Sequence, residues 1–243
     1  MKLQLGILSG VALAATLGTA GAAQAAIVVV PPGLNPGDQY RLVFVTDGTR
    51  DATSTNINDY NTFVTNDVTP TSALAIALNA AGLTTTWKAI GSTASVAARD
   101  NTGTNPSSTG VPIYLIDGNL VANDNADLWD GQVSSKLNLT PSNTYLGFNF
   151  VWTGTSSDGT GGLGGAYFLG SGLALVGQTD QTFGWVFSSD QQASSSLRLY
   201  GLSSILTVPT PPAPVSVPEP SSLLGYITLG GLMLGGAVRK ARK

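Results

Sequence analysis

The stretch "AIVVVPPGLNPGDQYRLVFVT", residues 26–46, reads as a short apolar strand, a Pro/Gly turn and a second strand. In the second strand Tyr40, Leu42 and Phe44 alternate with Arg41, Val43 and Val45. Arg41 is the only polar residue among them, so the strand is expected to be buried on both faces. Asp47-Gly48 breaks it.

Downstream, Ile57, Tyr60, Phe63 and Val64 recur at helical spacing and predict a short amphipathic helix. "TSALAIALNAAG", residues 71–82, has a Thr or Ser cap, an Ala/Leu body and Gly82 as its stop, which predicts a second helix. "LTTTWKAIGS", residues 83–92, is β-branched and aromatic and predicts a strand. Residues 92–110 turn to Ser, Thr, Asn and Gly and read as loop, with 96–99 extended. "GVPIYLIDG" is a strand ended by Asp117-Gly118, "ADLWDG" a one-turn helix or a turn, and "TYLGFNFVWTGT" a strand. "SSDGTGGLGG", residues 156–165, reads as a flexible loop. "AYFLGSGLALVG", "FGWVFSS" and "LRLYGLSSILTV" are further β candidates, the last ending at residue 208. The expected fold is a single strand-rich α+β ectodomain, residues 26–208, with two short helices. No repeat of solenoid length is present in the sequence.

Both ends of the chain differ from this middle. Residues 1–25 read as a secretory signal, with basic Lys2, an apolar run over 3–20 and the small-x-small site Ala23-Gln24-Ala25. Cleavage after Ala25 leaves Ala26 as the new N-terminus. At the other end, residues 209–217 form a Pro-rich linker that favours polyproline II. Residues 223–238 carry no charge. As a helix they span about 24 Å, against a hydrocarbon core of roughly 30 Å. Ser221 and Ser222 extend the run, which predicts a transmembrane helix over about 221–238. Arg239, Lys240, Arg242 and Lys243 follow as a basic membrane stop on the cytoplasmic side.

Composition removes several kinds of chemistry. Lys2 and the four terminal basic residues lie outside residues 26–217, so six of the 11 Lys and Arg remain inside. All acidic residues except Glu219 lie inside, thirteen aspartates, which leaves the ectodomain at −7. Such a surface disfavours nucleic acid and anionic lipid. The chain contains no histidine and no cysteine. An imidazole base, a Ser-His-Asp triad, the usual zinc sites and disulfide staples are therefore absent from its chemistry, and no cofactor is expected.

Pro218-Glu219-Pro220, the Gly-bearing apolar run and the terminal basic cluster together resemble the PEP-CTERM sorting signal over residues 217–243. That resemblance implies processing by exosortase, a membrane enzyme of bacteria that make extracellular polysaccharide, with Pro218, Glu219 and Pro220 as the sorting motif. The order "DYNTFVTNDV", "AAGLTTTWKAIGS", "GVPIYLIDGNLVANDNADLWDG", "VWTGTSSDG", "LRLYGLSSILTV" resembles the endostatin-type branch of the C-type-lectin-like fold. The chain departs from that family in lacking its disulfide cysteines, its calcium- and sugar-holding triplets and endostatin's zinc histidines. The fold is thereby implied, and those ligand sites are not. The resulting expectation is a non-enzymatic surface or matrix protein, held at the membrane and then released to the surface or outside. Its ligand would be extracellular polysaccharide. A purely structural matrix component is the alternative, and an aspartate-based glycoside hydrolase the next.

Individual residues carry competing readings. Asp117, Asp124, Asp127 and Asp130, with Asn123 and Asn125, are oxygen donors dense enough to hold calcium. Leu128 stands where an EF-hand needs glycine, and Asp and Asn also build turns, which is the preferred reading. Asp47, Asp51 and Asp59 could include a glycosidase pair. Strand termination by Asp47, helix capping by Ser54 or Asn56 and a surface Arg50–Asp51 pair account for the same residues. Trp87, Trp129, Trp152 and Trp185, with Tyr114 and Tyr145, could form a sugar-stacking platform. Trp87 and Trp152 fall inside strand patterns and are expected in the core. Trp129 is the one whose exposure needs testing. The run "GTGGLGG" lacks the Gly-Lys-Ser/Thr ending of a phosphate loop.

Overall fold

A computed structural model describes residues 26–211. The expected signal, the sorting motif, the transmembrane helix and the membrane stop lie outside the described residues. Among the described residues no helix is long and apolar enough to cross a membrane. The chain divides into two units, Met1–Pro209 and Thr210–Lys243.

The first unit is α+β. Its elements run β1 (Gln39–Val45), α1 (Ile57–Asp67), α2 (Ala73–Ala80), β2 (Trp87–Ala89), α3 (Ala98–Thr102), β3 (Ile113–Leu115) and β4 (Leu120–Ala122). Then follow α4 (Asn125–Leu128), β5 (Phe150–Trp152), β6 (Leu173–Gln178), β7 (Ser189–Gln192), β8 (Arg198–Ser203) and β9 (Leu206–Thr207). One mixed sheet has the order β4-β3-β1-β8-β5-β6-β7, with β2 also on β8 and β9 also on β1. The β1–β3 and β5–β8 pairs are parallel and the others antiparallel.

The opening stretch is half as expected. β1 is a central strand, with Tyr40, Leu42, Val43, Phe44 and Val45 all buried. Arg41 points its guanidinium at the carbonyls of Ser203 (2.8 Å) and Thr102 (3.1 Å), which satisfies the one charged side chain of β1. Residues 26–38 are not a strand. Pro31, Pro32 and Pro36 offer no N–H to a ladder, and the segment is held instead by single bonds. Val28 N–H donates to Ile116 O at 2.8 Å, and Tyr40 O–H to Val29 O at 2.6 Å.

Both expected helices form. Asn56 caps α1 through Asn58 N–H and Ser72 caps α2 through Ala75 N–H. Gly82 stops α2 at φ +66°, a backbone region that glycine enters without strain. Two further expectations are corrected. Residues 96–99 are not extended, because Ala98 begins α3. Residues 183–188 of "FGWVFSS" form no strand: Gly184 turns the backbone at φ +83°, and Trp185 is fully buried. A Cβ at Gly177 would lie 1.7 Å from Trp185 O, so that backbone crosses directly over β6. The strand is displaced to β7, a polar segment not expected from its sequence. "SSDGTGGLGG" is a loop as expected, and backbone hydrogen bonds shape it. Gly162 N–H donates to Gly154 O, Ser156 N–H to Thr160 O, and Arg99 N–H to Gly159 O.

The core lies along the sheet. Trp152, Trp185, Tyr40, Tyr60, Tyr200 and Phe44 are its largest fully buried side chains. Phe44 meets Trp87 edge-on at 4.9 Å, and Gly201 opposite Phe44 leaves room for its ring. α1 lies against β2 and β8.

Candidate functional site

The four aspartates of residues 117–130 do not converge. Asp117 accepts from Asn119 N–H (2.9 Å) and from Tyr145 O–H (2.7 Å). Asp124 caps α4 by accepting Asp127 N–H at 2.9 Å. Asp127 reaches back to Asn123 N–H at 2.7 Å, which completes a reciprocal cap. Asp130 accepts Gln132 N–H at 3.0 Å. Asn125 is buried and donates to Ser108 Oγ at 3.0 Å. Among the described residues no three acidic side chains are grouped to hold a metal.

The second aspartate set is also spread out. Asp51 accepts Thr53 O–H at 2.6 Å, which holds its carboxyl below the usual range. Asp59 accepts Ser54 O–H at 2.6 Å. Arg50 donates to the backbone carbonyl of Asp51 and lies 4.3 Å over the Tyr60 ring. Asp47 instead finds Asp67, a residue the sequence did not single out. Asp67 accepts the N–H groups of Asp47 (2.8 Å) and Gly48 (2.9 Å), while Asp47 accepts Ser142 N–H (2.9 Å) and O–H (2.5 Å). Burial pushes the Asp67 carboxyl up, against the pull of those two N–H donors. The four bonds tie the end of α1 to the end of β1 and to the segment before β5.

The tryptophan platform is absent from the surface. Trp129 and Trp87 are each 5 % exposed, and Trp152 and Trp185 are fully buried. Trp129 donates Nε1–H to Thr104 O at 3.0 Å and packs 5.7 Å from Trp185. Tyr114 is half-buried and meets Tyr40 edge-on. Among the described residues the exposed aromatics are Tyr145, Phe148 and Phe183. Burial and the Asp117 carboxylate push the Tyr145 phenol up to about 12.

A different feature brings ligand-type groups together. A hollow of about 630 Å³ runs between α1 and the segment leading into β2, lined by Asn58, Asn61, Thr62, Thr65, Asn66, Thr85, Thr86, Trp87 and Lys88. A second hollow of about 260 Å³ shares Thr65, Thr85 and Trp87 and continues toward α2. Three amides, four hydroxyls and one ammonium line the larger one, with no carboxylate.

Its floor is fixed by the edge of the sheet. Thr86 O accepts from Ser204 N–H and Ile90 N–H donates to Tyr200 O, so Trp87 and Ala89 turn their backbone groups away from β8. Asn61 Oδ1 accepts Ala89 N–H at 2.9 Å, and Asn101 Nδ2 donates to Ala89 O at 2.8 Å. The two amides also bond each other, at 3.0 and 2.9 Å. Thr65 O–H reaches Trp87 O at 3.3 Å. Side chains thus stand where a neighbouring strand would be, and the edge is closed to pairing.

Above this floor, Thr62, Asn66, Thr86 and Lys88 are exposed and their side chains bond no protein group. Asn58, Thr62 and Asn66 follow each other at i, i+4 and i+8 on one face of α1. The sequence reading took α1 only for its apolar face. The available signal was a solvent face of amides and hydroxyls where surface helices usually carry charge. No protein-family model matches this chain, and no curated protein matches it either.

Proposed function

We propose that this chain is an exported bacterial surface or matrix protein whose domain binds extracellular polysaccharide. It is held at the membrane by its C-terminal helix and sorted by exosortase. The observation that carries the reading is the tail: Pro218-Glu219-Pro220, an uncharged run over 223–238 and four basic residues, behind a Pro-rich linker. The leader ending at Ala23-Gln24-Ala25 supports export. A hollow walled by amides and hydroxyls supports a hydroxyl-rich ligand for the domain. The domain is of the C-type-lectin-like kind in this reading. Two helices ahead of the Trp87-Lys88-Ala89 strand, and a closing strand β8 beside β1, support that assignment.

Glu219→Ala tests the sorting. The substitution lies outside the folded domain, so export and folding are expected to stay intact. The full-length form should accumulate at the membrane with its basic tail attached, read as intact mass from membrane and medium. Release at the wild-type rate, in a host carrying exosortase, would overturn the sorting reading and leave a plain membrane anchor.

A further inference from the structure

We infer that the hollow between α1 and β2 is the polysaccharide site, and that it takes an extended segment of a neutral pyranose chain. The inference rests on the polysaccharide reading above. Asn58, Thr62 and Asn66 stand along one stripe of α1, with Lys88 and Thr86 on the facing wall. Successive i, i+4 residues on a helix are about 6 Å apart along its axis, so the stripe is about 12 Å long, room for roughly two sugar rings. Amides donate and accept, hydroxyls do both, and the lysine donates, which matches a chain of vicinal hydroxyls.

Charge selects the neutral class. The ectodomain's six basic and thirteen acidic residues leave it at −7, and a polyanion approaches such a surface against repulsion. Lys88 is the only charge in the lining. The floor residues Asn61 and Thr65 are already committed to the β2 edge, so they shape the site and do not rearrange to bind. Trp87 is only 5 % exposed. Hydrogen bonding, with little ring stacking, therefore dominates the contact.

The test uses full-length protein in detergent and affinity electrophoresis through gels containing galactomannan, dextran, xylan or alginate. Wild-type protein should be retarded by at least one of the three neutral polymers and less by alginate. Thr62→Trp, which fills the hollow from its exposed wall, should weaken retardation at least tenfold with an unchanged melting temperature. Asn66→Ala and Lys88→Ala should each weaken it several-fold. Phe148→Ala with Phe183→Ala, on the exposed aromatics, should leave it unchanged. Binding that survives Thr62→Trp, or that falls only with the phenylalanine pair, overturns the site while the polysaccharide reading stands. Preference for alginate overturns the neutral class. No retardation of wild-type protein by any of the four overturns the inference and counts against the broader reading as well.

Discussion

Asp67 titrates in the opposite sense to Asp51 and Asp158. Its carboxyl is raised by burial, so the folded protein holds that proton to higher pH than the unfolded chain does. Its contribution to stability is therefore fully present below the unfolded carboxyl range, and it is lost as pH rises through the folded value. Asp51 is lowered by the Thr53 hydroxyl and amide. At Asp158 burial raises the carboxyl, but the two bonds from Thr160 prevail and lower it. Both contribute stability above the unfolded range and lose it as pH falls through their folded values. In the wild type Asp67 thus offsets part of the acid destabilisation. Asp67→Asn should lose more melting temperature between about pH 6 and pH 3.5 than wild type does. An equal or smaller loss would show that the carboxyl is not held up by burial.

The edge strand β2 depends on side chains that a strand does not normally need. Asn61→Leu keeps the branched shape of the side chain, with somewhat more bulk, but removes the acceptor for Ala89 N–H and the partner of Asn101. Leaving buried backbone donors unpaired costs about 1–3 kcal/mol each. The variant should melt several degrees lower and aggregate on standing, since the uncovered edge can pair with another chain. A variant that melts as wild type and stays monomeric by light scattering would refute the edge-closing role. This element also shows why the sequence was only partly legible. β1, α1 and α2 announce themselves because alternation, helical spacing and caps are local signals. Nothing local marks Asn61 and Asn101 as partners 40 positions apart. Nor does any local signal place polar β7 beside β6, since its place comes from Trp185 crossing over Gly177. The aspartates of 117–130 were readable as turn formers, and each is in fact bonded to nearby backbone or side chains. Asp67 escaped notice because its partners lie about twenty residues back in the chain.

Across the whole molecule, the strand order concentrates dependence on one late segment. β8 lies between β1 and β5 and also carries β2. Without it, β4-β3-β1 and β5-β6-β7 are two separate ribbons with no strand in common. A chain stopped after Ser196 should therefore show no cooperative melting and rapid proteolysis, although it holds seven of the nine described strands. Cooperative melting of that truncation would refute the dependence. The same order sets timing during synthesis. Of the described strands the ribosome makes β1 first and β8 last but one, so contacts of long sequence separation must wait and the sheet closes late and slowly. Until Ser203 has been made, the two ribbons have no complete strand to join them. The proposed export would draw on this order, because a chain whose keystone strand is made late stays unfolded for longer on its way to a secretion channel.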